Sequence, residues 1–192
     1  MLDALGRAVA TYRIGSDGST VLQQASGYDT AGRLRVETNA LGGVTWITYG
    51  FDAMGRATQT NTLPNGAVRI EIRHRDGSIY QVLGTAVHPV QYDYAAYGGL
   101  FQTTETRLDE YGQATLETRT TFTDLLGRRV RQTQSGATSP TEWFYNDAGQ
   151  LWKTVDADGA TSLYTYGADG SREYTITATT EATANVASYA NL

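Results

Sequence analysis

The chain predicts an all-β protein built from antiparallel hairpins, and three observations carry that reading. Thr appears 29 times and Tyr 13 times in 192 residues, and both favour strands. Gly, at 21 residues, recurs between short stretches of alternating apolar and polar residues, as turn residues do. The third observation is a phrase repeated with variations: an apolar or aromatic residue, Asp or Asn, two loose positions, Gly, then usually Arg. Tyr28-Asp29-Thr30-Ala31-Gly32-Arg33-Leu34 is the clearest copy, and Phe51-Asp52-Ala53-Met54-Gly55-Arg56-Ala57 is the second. Further copies begin at Leu2-Asp3, Leu108-Asp109, Thr123-Asp124 and Tyr145-Asn146.

The phrase has a specific physical meaning. Asp at the first position of a type I turn accepts a hydrogen bond from the backbone two residues on, and Gly at the fourth position supplies a positive φ. A type I turn followed by a left-handed residue frames a hairpin with a G1 bulge. The corner residues are therefore Asp3, Asp29, Asp52, Asp109 and Asp124 as caps, with Gly6, Gly32, Gly55, Gly112, Gly127 and Gly149 as the left-handed positions. Arg7, Arg33, Arg56 and Arg128 open the outgoing strands. Each is placed to pair with its own Asp across the corner, or to stack on the ring that precedes that Asp.

Taken in order, the chain begins inside a corner, Leu2 to Arg7, with no strand leading into it; this predicts a fragment of something longer, or a subunit completed by association. A strand over Ala8–Ile14 follows, and Ser16-Asp17-Gly18-Ser19 predicts a two-residue type I′ turn. Val21–Tyr28 returns to the first full phrase, and Leu34–Thr38 alternates apolar and charged residues before Leu41-Gly42-Gly43 turns it. Val44–Phe51 is aromatic and β-branched on both faces; Thr58–Thr62 leads to the Pro64-Asn65-Gly66 corner. Residues 68–75 hold the cleanest alternation in the chain, with Val68, Ile70, Ile72 and His74 on one face.

Strands at Ile79–Thr85 and Val87–Tyr92 follow, with Pro89 at an edge, a bulge or a strand start. Tyr94-Ala95-Ala96-Tyr97-Gly98-Gly99-Leu100 reads as a degenerate copy of the phrase. Phe101–Arg107 and Ala114–Thr123 flank the Asp109 corner, and Arg128–Gln134 and Thr141–Tyr145 flank a looser turn. Leu151–Val155, Ser162–Tyr166 and Glu173–Ala178 complete the set, turned at Asp158-Gly159 and Asp169-Gly170. The pattern thus predicts long Asp-x-x-Gly corners alternating with short Asp-Gly or Asn-Gly ones. The repeat array spans residues 1–178, and the small polar residues 179–192 form a loosely held tail. A spacing of about 22 residues between phrase glycines, lost around residues 66–127, marks an irregular array of units packed on their neighbours.

Composition excludes several function classes. A formal net charge of −5, with 14 Arg scattered one per hairpin among acids, argues against nucleic acid as a partner. No apolar run approaches the ~18 residues that would span a bilayer as a helix. There is no cysteine, hence no disulfide, thiolate metal site or cysteine nucleophile. His74 reads as a packed strand residue, and His88 has no metal-ligand spacing around it. Asp156-Ala157-Asp158-Gly159 lacks the remaining ligands of a calcium loop. No catalytic, metal or cofactor-binding residue is assigned, and no cofactor is expected.

In the Tyr-Asp-x-x-Gly-Arg phrase at 28–34, echoed at 51–57 and 145–151, the chain resembles the YD-repeat, or RHS-repeat, family, from about residue 2 to residue 178. The resemblance implies a long curved or spiralling antiparallel sheet, a β-ribbon or partial shell of the kind found in bacterial polymorphic toxins, insecticidal toxin complexes and animal adhesion proteins. It implies an extracellular or cell-surface setting, with neighbouring repeats of a longer chain, or identical subunits joined through sheet edges, as partners. The self-cleaving aspartyl-protease-like segment of the family has no match here, so processing activity is not carried over. Three readings remain open at the level of sequence: a structural shell, scaffold or display module without catalysis; an extracellular fibre or adhesin assembled by strand pairing; and a glycan-binding or glycan-cleaving β-protein.

Overall fold

The computed structural model describes residues 1–179, and all its regular structure is strand. The strands are β1 (Ala10–Ile14), β2 (Thr20–Tyr28), β3 (Leu34–Asn39), β4 (Val44–Phe51), β5 (Ala57–Thr62), β6 (Val68–Arg73), β7 (Ile79–Leu83) and β8 (Val90–Tyr97). They continue with β9 (Leu100–Leu108), β10 (Ala114–Thr123), β11 (Arg129–Gln134), β12 (Thr141–Tyr145), β13 (Leu151–Val155), β14 (Thr161–Tyr166) and β15 (Arg172–Ala178). Strand order is chain order in one open antiparallel sheet without a crossover, which is the all-β hairpin architecture the turn spacing predicted. The expected tail at 179–192 lies, beyond Thr179, outside the described residues.

Two compact units divide the described residues: Met1–Gln91 with Leu108–Gln113, and Tyr92–Arg107 with residues 114–179. In the first, the register lays Val36, Trp46, Thr62 and Val68 side by side across one face of β3 to β6. The opposite face carries the row Tyr49, Gln59, Glu71 and Val82 across β4 to β7. Alternation along each strand therefore gives both faces something to cover, rather than one dry and one wet face. Ile47, Ile72, Val82 and Leu108 are buried. Glu71 is buried with them and held by Arg69 at 2.8 Å and by Arg73. In the second unit Leu163 and Thr161 on β14 are the buried residues. The core is thin, since a sheet whose faces are each half covered encloses few side chains completely.

One backbone frame recurs at twelve corners of the described residues. The residue that opens the corner donates its N–H to the carbonyl four residues on, and its carbonyl accepts from the N–H three residues on. That last residue is Gly6, Gly18, Gly32, Gly42, Gly55, Gly66, Gly77, Gly112, Gly127, Gly149, Gly159 or Gly170, each with φ between 74° and 88°. This is the type I turn with a G1 bulge.

The short corners differ from expectation here. A type I′ turn at Asp17-Gly18 needs positive φ at both residues, and among the described residues none other than glycine has one. Gly15 opens that corner instead, and Asp17 stands at its third position, where its Oδ1 accepts from the Ser19 N–H at 3.0 Å. Long and short phrases are one corner capped from two positions. The two-residue turn is found at Tyr97-Gly98-Gly99-Leu100, the presumed degenerate copy, where Gly98 and Gly99 take φ of 59° and 78°. His74 also departs from its expected strand: it opens a corner, donating to the Ser78 carbonyl at 2.9 Å, with its ring edge-on to Tyr80.

Candidate functional site

A charge-bearing constellation recurs on the long corners. Asp29 Oδ1 accepts from the N–H groups of Ala31 and Arg33, both at 2.9 Å, while its Oδ2 takes the Arg33 Nε at 2.8 Å. Asp3, Asp52 and Asp124 repeat every one of these bonds with Arg7, Arg56 and Arg128. The Asp29 carboxyl is held below its ordinary value of 3.8, first by the Arg33 N–H and then, against the opposing cost of burial, by the Arg33 side chain. Asp3 and Asp52 are lowered for the same reason. At Asp124 burial is the largest influence and works the other way, but the Arg128 N–H and guanidinium outweigh it.

Asp109 makes the two backbone bonds alone, to Tyr111 and Gln113 at 2.9 and 2.8 Å, because Gln113 stands where the other corners have Arg. Asn146 accepts from the Gln150 N–H at 2.9 Å and pairs its amide with the Gln150 side chain. Asn39 caps a corner read from sequence as Leu41-Gly42-Gly43, its Oδ1 accepting from Leu41 and Gly43.

The corner arginines hold two partners each, and the second is not the ring that precedes the Asp. Each pairs with its own Asp, but the ring it stacks on belongs to a later hairpin. Arg7 lies 4.3 Å from the centroid of Tyr28, Arg33 4.6 Å from Tyr49, Arg56 3.7 Å from Tyr80 and Arg128 4.5 Å from Tyr145. The Asp3, Asp29 and Asp52 corners fall on one edge at intervals of two strands, and the Asp124 and Asn146 corners are likewise two strands apart, because hairpins alternate edges. At about 4.8 Å per strand that separation is within reach of an arginine and a tyrosine together. Three of these tyrosines then donate their hydroxyl to the carbonyl just after the stacked arginine: Tyr28 to Ala8, Tyr49 to Leu34 and Tyr145 to Arg129, at 2.9–3.0 Å. Tyr166 repeats the bond to Leu151 at 2.7 Å, one position after Gln150. Sequence reasoning missed these pairings because the separation from the arginine varies; the available signal for Tyr28, Tyr49 and Tyr145 was a Tyr near the end of the strand entering the next long corner, whereas Tyr80 stands near the start of β7.

Chemically, the constellation is closed on itself. Asp is occupied by backbone and guanidinium, Arg by Asp and ring, and Tyr by Arg and, at Tyr28, Tyr49 and Tyr145, by backbone. His74 meets it only at the edge of the Tyr80 ring, and among the described residues no group of three or more His, Cys, Asp or Glu is placed to hold a metal. Two shallow depressions of about 220 and 210 Å³ open in the first unit, one lined by Asp29, Arg33, Arg35, Ile47, Thr48 and Tyr49, the other by Gln23, Gln24, Glu37, Asn39, Gly43 and Thr45. No helix among the described residues is long and apolar enough to cross a membrane, which leaves membrane-crossing strands unaddressed.

The sequence model of the family described as RHS Repeat matches residues 28–68. This stretch, about a fifth of the chain, is similar to an RHS repeat. It runs from the Tyr28 corner through β3, β4 and β5 to the first residue of β6, so the matched stretch holds two Asp-Arg corners and the stacked Tyr49 between them. A search of curated proteins gives no match to the chain.

Proposed function

We propose that the whole of residues 1–178 is an RHS-type repeat array with a structural role: it provides a scaffold, shell segment or display surface outside the bacterial cytoplasm, and it performs no catalysis. The observation that carries this reading is the closure of the Asp-Arg-Tyr step. Catalytic groups need a free face toward substrate and a tuned proton affinity. Here the acids are saturated by backbone donors, and the step recurs outside the matched repeat, at Arg7 and Arg128, with the same bonds. Recurrence along the chain is what a length-building device requires, whereas an active site is needed once. Neighbouring repeats of a longer chain are its partners in this reading, added strand by strand.

The test is a pair of substitutions, Arg33→Met and Arg128→Met, read by thermal midpoint beside binding and turnover assays of the wild-type chain on glycans and peptides. Lower midpoints in both variants and no turnover by the wild type are expected. Turnover that vanishes in Arg33→Met at an unchanged midpoint overturns the structural reading.

A further inference from the structure

Departures from a repeat are informative, because a position repeated for structure has a known occupant. Two residues after the corner arginine the chain carries Val9, Thr58 and Val130, all uncharged. After Arg33 it carries Arg35, which is exposed. Among the described residues the Arg35 guanidinium has no hydrogen bond, ion pair or ring contact, whereas Arg33 beside it is paired with Asp29 at 2.8 Å and stacked on Tyr49. Both line the depression of about 220 Å³ floored by buried Ile47.

The charges of that depression do not cancel. Asp29 neutralises Arg33, leaving the Arg35 charge uncompensated. Glu37, the next acid along β3, is engaged by the Gln24 amide and lines the other depression. A guanidinium offers a planar fork that binds a carboxylate through two parallel hydrogen bonds. Beside it, Ile47 lends an apolar side chain to the lining, and Arg33 already covers one face of the Tyr49 ring.

We infer that this depression is a binding subsite for an aliphatic carboxylate, with the carboxylate on Arg35 and a short methylene stem against Ile47. The ligand is the acidic side chain of a partner peptide or a free dicarboxylate of the same chemistry. The subsite goes beyond the structural role, and Arg35 takes no part in the corner bonds, so failure here leaves that reading untouched.

The experiment titrates the isotopically labelled full chain with glutarate, a capped tripeptide with central Glu, glucuronate and inorganic phosphate, following the amides of Ile47 and Tyr49 by NMR. Glutarate and the Glu peptide are expected to shift these amides, the tighter of the two identifying the source. Arg35→Gln should weaken binding roughly tenfold or more, as loss of a charge-assisted pair does, without moving the thermal midpoint. Arg13→Gln, at another exposed arginine outside the depression, should bind as the wild type does. The proposal is overturned by the absence of shifts at Ile47 and Tyr49, by unchanged affinity in Arg35→Gln, or by phosphate or glucuronate binding as tightly as glutarate.

Discussion

Tyr49 shows how much one side chain does in this chain. Its ring carries the Arg33 guanidinium at 4.6 Å, and its hydroxyl donates to the Leu34 carbonyl at 2.9 Å, so it fastens β4 to the start of β3 and to the corner before it. Tyr49→Phe keeps the ring and deletes the bond, leaving a carbonyl short of its donor. The expected cost is about 1 kcal/mol, which for a chain of this size lowers the thermal midpoint by roughly 2–4 °C. Tyr49→Leu should cost more, because it also removes the stack; equal midpoints for the two variants would show that the ring contributes nothing. At this scale the sequence was legible wherever partners lie within one corner. Asp29, Gly32 and Arg33 sit within five residues, and turn stereochemistry alone dictates their roles. Tyr49 was not legible, because its link to Arg33 depends on which hairpins share an edge.

Hairpins were read correctly as elements and mistaken in two of their turns, for a reason visible at Gly15 and Gly98. Asp17-Gly18 looks like a two-residue loop, but Gly15 opens a three-residue one, and the longer loop demands a positive φ only at Gly18. Tyr97-Gly98-Gly99-Leu100 looks like a decayed long corner and is the tight one, since two adjacent glycines satisfy two positive φ values. Strand parity explains a second feature. In the first unit the Asp3, Asp29 and Asp52 corners alternate with those of Gly15, Asn39 and Leu63, and arginine follows glycine only in the former set. The Asp109 corner, whose neighbour Leu108 donates to the Pro89 carbonyl in the connection after β7, belongs to the opposite edge and carries Gln113. The tight turn yields the test for this scale. Gly98→Asn should leave the midpoint within about a degree of wild type, because Asn tolerates the left-handed region, and Gly98→Val should lower it by the ~1–3 kcal/mol that such a residue costs there. A circular-dichroism melt that ranks the two variants equally would remove the primed-turn assignment between β8 and β9.

Across the whole molecule the same corner chemistry gives a shared response to acid. The Asp3, Asp29, Asp52 and Asp124 carboxyls all lie below 3.8 for the reasons given at the corners. Asp17, Asp76 and Asp169 lie below it too, first through the hydroxyl and then the N–H of Ser19, Ser78 and Ser171. A carboxyl lowered on folding binds fewer protons in the folded chain than in the unfolded one. Its contribution to stability is therefore present above 3.8 and is lost as pH falls through the lowered folded value. Because these groups recur from the first corner to the last strand pair, the loss is distributed along the chain. The thermal midpoint should stay nearly level from pH 7 to about 5 and fall steeply below about 4. Asp29→Asn combined with Asp52→Asn removes two of the titrating groups; it should start from a lower midpoint at pH 7 and fall less between pH 5 and about 2.5. A midpoint that stays level down to about pH 2.5 in the wild type would mean that the corner carboxylates do not hold the hairpins together, and the corner bonds would then have to be regarded as incidental to the stability of the sheet.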